Sequence, residues 1–183
     1  MNSKDVKMIL KTALSLFLIC AVSAGILGAV NLITEPLITA NAAKAADEAR
    51  AQVLPADSFE KMETADGKEY YKGTSDGTAG YVFTTSGSGY GGAVEVMTGI
   101  DTEGRVTGIK LLTINETPGL GMNAKKDKFL NQYPGQQGQL TVVKNKTPED
   151  GEILAITSAT ITSKAVTSAV NEALALYEEV KEG

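Results

Sequence analysis

Apolar and polar positions divide the chain into three stretches of different period. From Thr12 to Thr34 no residue is charged. At ~1.5 Å per helical residue, such a run spans a bilayer core of about 30 Å with some tilt. Lys4, Lys7 and Lys11 precede it and Glu35 follows. This lysine bias predicts a single-pass anchor with its N-terminus, residues 1–11, in the cytoplasm and the remainder outside. A cleaved signal peptide is the alternative, with Ala21-Val22-Ser23-Ala24 as its small-residue site. Hydrophobicity continues past that site through Ile26, Leu27, Val30, Leu32 and Ile33, which favours an anchor at 12–34. Lipid attachment at Cys20 is disfavoured by the bulky Ile19 before it.

After Pro36 the pattern loses its apolar continuity. Residues 35–55 are alanine-rich with scattered charges, a composition for a juxtamembrane helix that Pro55 ends. From Lys68 the period shortens to that of strands. Runs at 69–73 and 80–85 flank Ser75-Asp76-Gly77, a hairpin signal. Runs at 92–100 and 106–113 flank Asp101-Thr102-Glu103-Gly104, a second one. Leu140 to Val143 and Ile153 to Ile156 are further short strands. From near Thr162 the spacing of Val166, Ala169, Val170, Ala173, Leu174, Tyr177 and Val180 is helical. The expectation is an α+β domain over 56–183, a mostly antiparallel sheet with a C-terminal helix against it.

Composition removes chemistries from consideration. The chain of 183 residues has a net charge of -5, contrary to the basic face that nucleic-acid binding needs. It contains no His, which excludes a Ser-His-Asp triad, His-ligated haem and an ordinary catalytic zinc site built from this chain. Its single Cys excludes disulfides and thiolate clusters within the chain. A redox role therefore requires an organic cofactor.

Three segments are candidates for holding one. The hydroxyl cluster Thr157-Ser158-Ala159-Thr160-Ile161-Thr162-Ser163 stands between a short strand and the C-terminal helix. It reads either as a helix N-cap or as a phosphate site at the positive end of a helix, and the two are compatible. Asn115-Glu116-Thr117-Pro118-Gly119-Leu120-Gly121-Met122 is a loop whose glycines allow backbone to approach a flat ligand, or an ordinary turn. Ser88-Gly89-Tyr90-Gly91-Gly92 leads into a strand, unlike nucleotide-phosphate fingerprints, which open a helix.

Together these segments resemble the FMN-binding domain family of the Rnf electron transport complex G subunit and of the C subunit of the sodium-translocating NADH:quinone reductase. The resemblance is carried by the anchor, Gly-Tyr-Gly-Gly-Ala at 89–93, Glu-Thr-Pro-Gly-Leu-Gly at 116–121, and Thr-Ser-Ala-Thr-Ile-Thr at 157–162 followed by Lys164-Ala165-Val166. It implies an FMN joined by a phosphoester to Thr160; Thr162, which also lies at the helix start, is the fallback attachment point. Thr157, Ser158, Ala159, Ile161, Glu116, Thr117, Gly119, Leu120, Gly121 and Tyr90 are then the surrounding cofactor-binding residues. It further implies an electron-transfer subunit, not catalytic alone, of a membrane complex linking ferredoxin and NAD+ to sodium or proton translocation. The implied partners are the membrane and iron-sulfur subunits of that complex. A separate flavin transferase is implied too, since no His is present to activate a threonine hydroxyl.

Two positions depart from the family pattern: its glycine before Ala159 is Ser158, and its aspartate three residues before the motif is Leu154. If the motif needs a left-handed residue at 158, serine carries a strain of about 1 kcal/mol or more. Two other functions fit the bare sequence. One is a membrane-tethered binding or scaffold module without cofactor; the other is a threonine-nucleophile transferase or hydrolase acting outside the cell, with a base such as Lys164 or Glu116.

Overall fold

The computed structural model describes residues 3–181. Helix α1 runs Ser3–Val53 with Pro36 inside it. It is followed by strands β1 (Ser58–Glu63), β2 (Glu69–Thr74), β3 (Thr78–Ser88), β4 (Ala93–Asp101) and β5 (Val106–Thr113). A 3-10 helix at Gly121–Lys125, the short helix α2 (Asp127–Leu130), strands β6 (Thr141–Val143) and β7 (Glu152–Leu154) and helix α3 (Thr160–Lys181) complete the chain. By contacts the chain divides into two compact units, one ending at Ala45 and the other beginning at Ala46.

The first unit is the greater part of α1. Ile9–Ile38 is long and apolar enough to cross a membrane, and none of its most apolar window is buried. Leu14, Phe17, Ile26, Leu32 and Ile33 are all well exposed, as side chains that face lipid must be. The helix does not stop between the apolar run and the alanine-rich stretch. Pro36 removes one ladder bond, and the Thr34 hydroxyl donates to the Val30 carbonyl at 3.0 Å one turn earlier.

The second unit is an α+β domain. Its five strands form an antiparallel meander in the order β1-β2-β3-β4-β5, and β6 and β7 form a separate parallel pair. Asp76 and Gly77 take positive φ at the β2–β3 turn. At the β4–β5 turn the Asp101 carboxylate accepts the N–H groups of Glu103 and Arg105 at 2.8 and 2.9 Å. Both turns fall where local chemistry calls for them.

The sheet is covered on both faces. On one side α3 places Val166, Ala169, Val170, Ala173 and Tyr177 against Phe83, Val94, Val96 and Ile100, the main core. On the other, the last turns of α1 place Ala49, Val53 and Leu54 against Val82 and Met97. The orphan carbonyl of Val53 at the end of α1 accepts the Thr107 hydroxyl. Double coverage explains why Val96 through Ile100 are buried without alternation. Thr98 lies within the main core, and its buried hydroxyl has no partner among the described residues.

The structure adds to the sequence reading and corrects it in places. Strand β1 was not expected. The expected strands at 140–143 and 153–156 are shorter, at 141–143 and 152–154, and pair in parallel. Helix α3 begins at Thr160, two residues earlier than its apolar spacing suggests.

Candidate functional site

Strand β7 delivers the chain into a turn that opens α3. The Ala155 N–H donates to the Val143 carbonyl at 2.8 Å, and the Ala159 N–H to Ile156 at 3.0 Å. Between them Ser158 stands at φ +62°, the left-handed conformation that an L residue adopts at a cost. The first bond of the helix runs from Ser163 N–H to the Ala159 carbonyl at 3.0 Å. Ala159 thus occupies the cap position, where it has no side chain to cap with.

The tie that closes this turn comes from inside the helix. The Ser163 hydroxyl accepts the Ile156 N–H and donates to the Ala159 carbonyl, both at 2.9 Å. Below it the Tyr133 phenol donates to the Thr167 hydroxyl at 2.9 Å, which donates to the Ser163 carbonyl at 3.0 Å. Burial pushes the Tyr133 phenol well above its ordinary pKa, the Thr167 bond opposing weakly. Ser163 satisfies the turn, so the hydroxyls around it stay free. None of Thr157, Ser158, Thr160 and Thr162 uses its hydroxyl in a hydrogen bond among the described residues. The N–H groups of Thr160, Ile161 and Thr162 precede the helical ladder and are likewise free among those residues. The N-cap reading of the cluster is therefore not what the structure contains. Its first turn presents open donors at the positive end of α3, an arrangement suited to a phosphate.

The other two segments meet this turn through one carboxylate. Glu116 Oε1 accepts the Tyr90 N–H at 2.7 Å and the Gly91 N–H at 3.4 Å. The glycines around it make room. A Cβ on Gly89 would strike Glu116 Oε1, one on Gly91 the Asn115 carbonyl, and one on Gly121 both Glu116 Oε2 and Thr162 Oγ1, each at 2.7 Å. Gly-Tyr-Gly-Gly is thus the tip of the β3–β4 hairpin, closed by the Gly89 N–H to Gly92 carbonyl bond at 2.9 Å and fastened sideways to the 115–121 loop.

A cavity of about 530 Å³ opens where these three segments converge. Tyr90, Glu116, Thr117, Leu120, Gly121, Ser158, Ala159, Thr160, Ile161 and Thr162 line it. Among the described residues outside α1, the exposed large hydrophobics are Met62, Tyr90, Leu120 and Ile161. Three of those four therefore ring this one mouth, an apolar rim that water alone does not favour. Two residues expected at the site lie off the cavity. Gly119 shapes the loop at φ +77° and its carbonyl accepts the Asn123 amide at 2.6 Å. Thr157 faces two neighbouring depressions instead.

One of those depressions, of about 810 Å³, shares Ser158 and Thr160 with the cavity and holds Lys144 and Lys146. The sequence reading missed these lysines, which follow β6 and reach Thr160 only because β6 pairs in parallel with β7. Lys146 is raised above its ordinary pKa by its hydrogen bond to Glu152, whose carboxyl is lowered in turn by Lys146. Thr160 sits where the two hollows join. Its environment combines free amide donors, nearby cations and an apolar-rimmed space within the ~300–1,000 Å³ of cofactor sites, which fits a phosphorylated planar ligand.

Comparison with known proteins agrees with this geometry. The sequence pattern of the FMN-binding domain family matches residues 89–175, and that of the RnfG N-terminal region matches residues 1–53. The chain is 38% identical to the G subunit of the proton-translocating ferredoxin:NAD(+) oxidoreductase complex of Clostridium ljungdahlii, covering 94% of each. It is 39% identical to the Na(+)-translocating counterpart of Acetobacterium woodii, covering 96% of this chain and 95% of that one. In fold it is similar to the crystal structure of the C subunit of the Na(+)-translocating NADH-quinone reductase from Parabacteroides distasonis, with TM-score 0.53 and 24% identity. The match spans 63% of each of those two chains. Shewanella oneidensis NqrC is similar at TM-score 0.58 and 16% identity, over 74% of each chain.

Proposed function

Because this chain belongs to the G-subunit family of ion-translocating ferredoxin:NAD+ oxidoreductase complexes, we propose that it carries electrons within such a membrane-bound complex through an FMN held in the cavity at the start of α3. It is a subunit of an oxidoreductase and does not turn over the reaction by itself. Its partners are the other subunits of the complex. The observation that carries this reading is the convergence of three segments distant in sequence on one apolar-rimmed cavity, with the free N–H groups of Thr160, Ile161 and Thr162 at its end.

The FMN supplies the redox chemistry, and the protein's part is to bind, orient and tune it. The free donors of the first turn, with Lys144 beyond, would hold its phosphate; Tyr90, Leu120 and Ile161 would flank the ring. Glu116, Thr117 and Gly121 would form the polar wall, and Ser158 and Ala159 the turn beneath. Gly119 and Thr157 would contribute through the shape of their loops.

The attachment is a phosphoester to the Thr160 hydroxyl, which borders both hollows and is not engaged elsewhere among the described residues. No base among the described residues hydrogen-bonds that hydroxyl, so a separate flavin transferase makes the bond. The division of the chain follows: residues 1–11 cytoplasmic, 12–34 in the membrane, 35–55 the juxtamembrane helix, and 56–183 the FMN domain outside the cytoplasm. A tether suits a domain so placed, because a dissociated flavin would be lost.

Intact mass and in-gel flavin fluorescence of denatured protein, made together with a flavin transferase, test the attachment. Wild type is expected to gain one FMN less water, Thr160→Ala to gain nothing, and Thr162→Val to behave as wild type. A colourless wild type under conditions that modify a related protein of the family refutes the reading in favour of a cofactor-free scaffold.

A further inference from the structure

The charge in the wall of the cavity is one-sided. Among the described residues, Glu116 is the only one with a full charge that lines it, and no lysine or arginine does. None of the ion pairs among the described residues includes Glu116. Yet its side chain is largely withdrawn from water, the residue being 8% exposed. A buried carboxylate without a cation is costly, and such a group persists where something else requires it.

Its partners account for only half of it. Oε1 takes the two successive N–H groups of Tyr90 and Gly91, a backbone nest for an anion. Oε2 makes no hydrogen bond among the described residues, and with the hydroxyl of Thr162, a residue 2% exposed that also lines the cavity, it borders the space a Cβ on Gly121 would take. Gly89 and Gly121 leave the space that this carboxylate fills. A glutamine would fill the same space and accept the same two N–H groups. What glutamate adds over glutamine is charge.

We propose that Glu116 sets the reduction potential of the flavin in this cavity, its fixed negative charge opposing the arrival of electrons. The inference rests on the reading that FMN occupies the cavity. A carboxylate in a partly dehydrated wall raises the energy of any electron-rich form beside it, because Coulomb interactions there are stronger than in water. No cation in the wall compensates. Lys144 and Lys146 lie beyond Ser158 and Thr160, in the neighbouring depression, and Lys146 is paired with Glu152 at 2.7 Å. The result is a carrier biased towards a low potential, able to pass electrons onward once reduced.

The test is a spectroscopic redox titration of the full-length, detergent-solubilised holoprotein, at a pH well above the ordinary carboxylate range of about 4. FMN content is first measured by fluorescence. Glu116→Gln is expected to load FMN as wild type does and to titrate at a more positive midpoint. Glu95→Gln removes a half-buried carboxylate that accepts the Thr113 hydroxyl at 3.0 Å outside the cavity, and is expected to leave the midpoint in place. An unchanged midpoint in fully loaded Glu116→Gln overturns the proposal, as does an equal shift in Glu95→Gln. If Glu116→Gln does not load, Leu120→Lys, at a half-exposed position of the same rim, puts a compensating cation on the cavity that Glu116 lines. That variant is expected to titrate more positive, and an unmoved midpoint there overturns the proposal. A wild type without FMN overturns the underlying reading, and this one with it.

Discussion

Ser158→Gly should make the protein more stable. Ser158 stands at φ +62° between β7 and α3. The left-handed region costs an L residue roughly 1–2 kcal/mol. Glycine removes that cost but loses about 0.5–1 kcal/mol more backbone entropy on folding. The serine hydroxyl makes no hydrogen bond among the described residues and the residue is exposed, so its removal forfeits neither a bond nor packing. The balance is a gain of about 0.5–1 kcal/mol. For a chain of this length that corresponds to a rise in melting temperature of roughly 1–4 °C. The assay is denaturant unfolding of the detergent-solubilised protein followed by near-ultraviolet circular dichroism, with Ser158→Ala as control. Alanine keeps the strained φ and should gain nothing. Equal stabilisation by alanine and glycine, or none by glycine, would refute strain as the cause.

Two further outcomes follow from the interior. Thr98→Val, which replaces an unpartnered buried hydroxyl with a methyl of the same shape, should stabilise by about 1 kcal/mol in the same unfolding assay. Tyr133 has its phenol held protonated by burial, so the unfolded chain gives up this proton first as pH rises. The stability it contributes is intact below the ordinary tyrosine pKa, about 10, and declines above it. Tyr133→Phe should cost about 0.5–1.5 kcal/mol at neutral pH through the lost bond to Thr167. It should also flatten the fall in stability between about pH 10 and 11.

What could be read from the chain was local. The β2–β3 and β4–β5 turns are announced by Asp76-Gly77 and Asp101 through Gly104, whose chemistry acts within four residues. Helix α3 declares itself by spacing. Its first two residues do not, because Thr160 and Ile161 are placed by the Ser163 tie and not by the apolar stripe. Strand β1 escaped because Ser58, Glu60, Lys61, Met62 and Glu63 are all exposed; an edge strand wet on both sides has no alternation to read. The β6–β7 pair escaped for another reason. Three-residue strands carry too little pattern, and their parallel pairing joins segments that the sequence holds apart.

The site divides along the same line. Its three segments were recognisable one at a time, and the serine that replaces a glycine marked 158 as a strained position on the condition that the turn needs a left-handed residue, which it does. The bond that assembles them was not, because Glu116 reaches residues 25 and 26 positions earlier in the chain. That bond changes the meaning of the glycines. Read in sequence, Gly121 looks like a place where backbone approaches a flat ligand, and Gly89 and Gly91 like part of a connection leading into a strand. In the fold, a Cβ on Gly89 or Gly121 would collide with the Glu116 carboxylate, and one on Gly91 with the carbonyl beside it. The two glycine loops are therefore cut to fit a carboxylate of the protein itself. Among the described residues, that carboxylate leaves to the cavity one oxygen without a hydrogen bond, beside the Thr162 hydroxyl and the apolar rim.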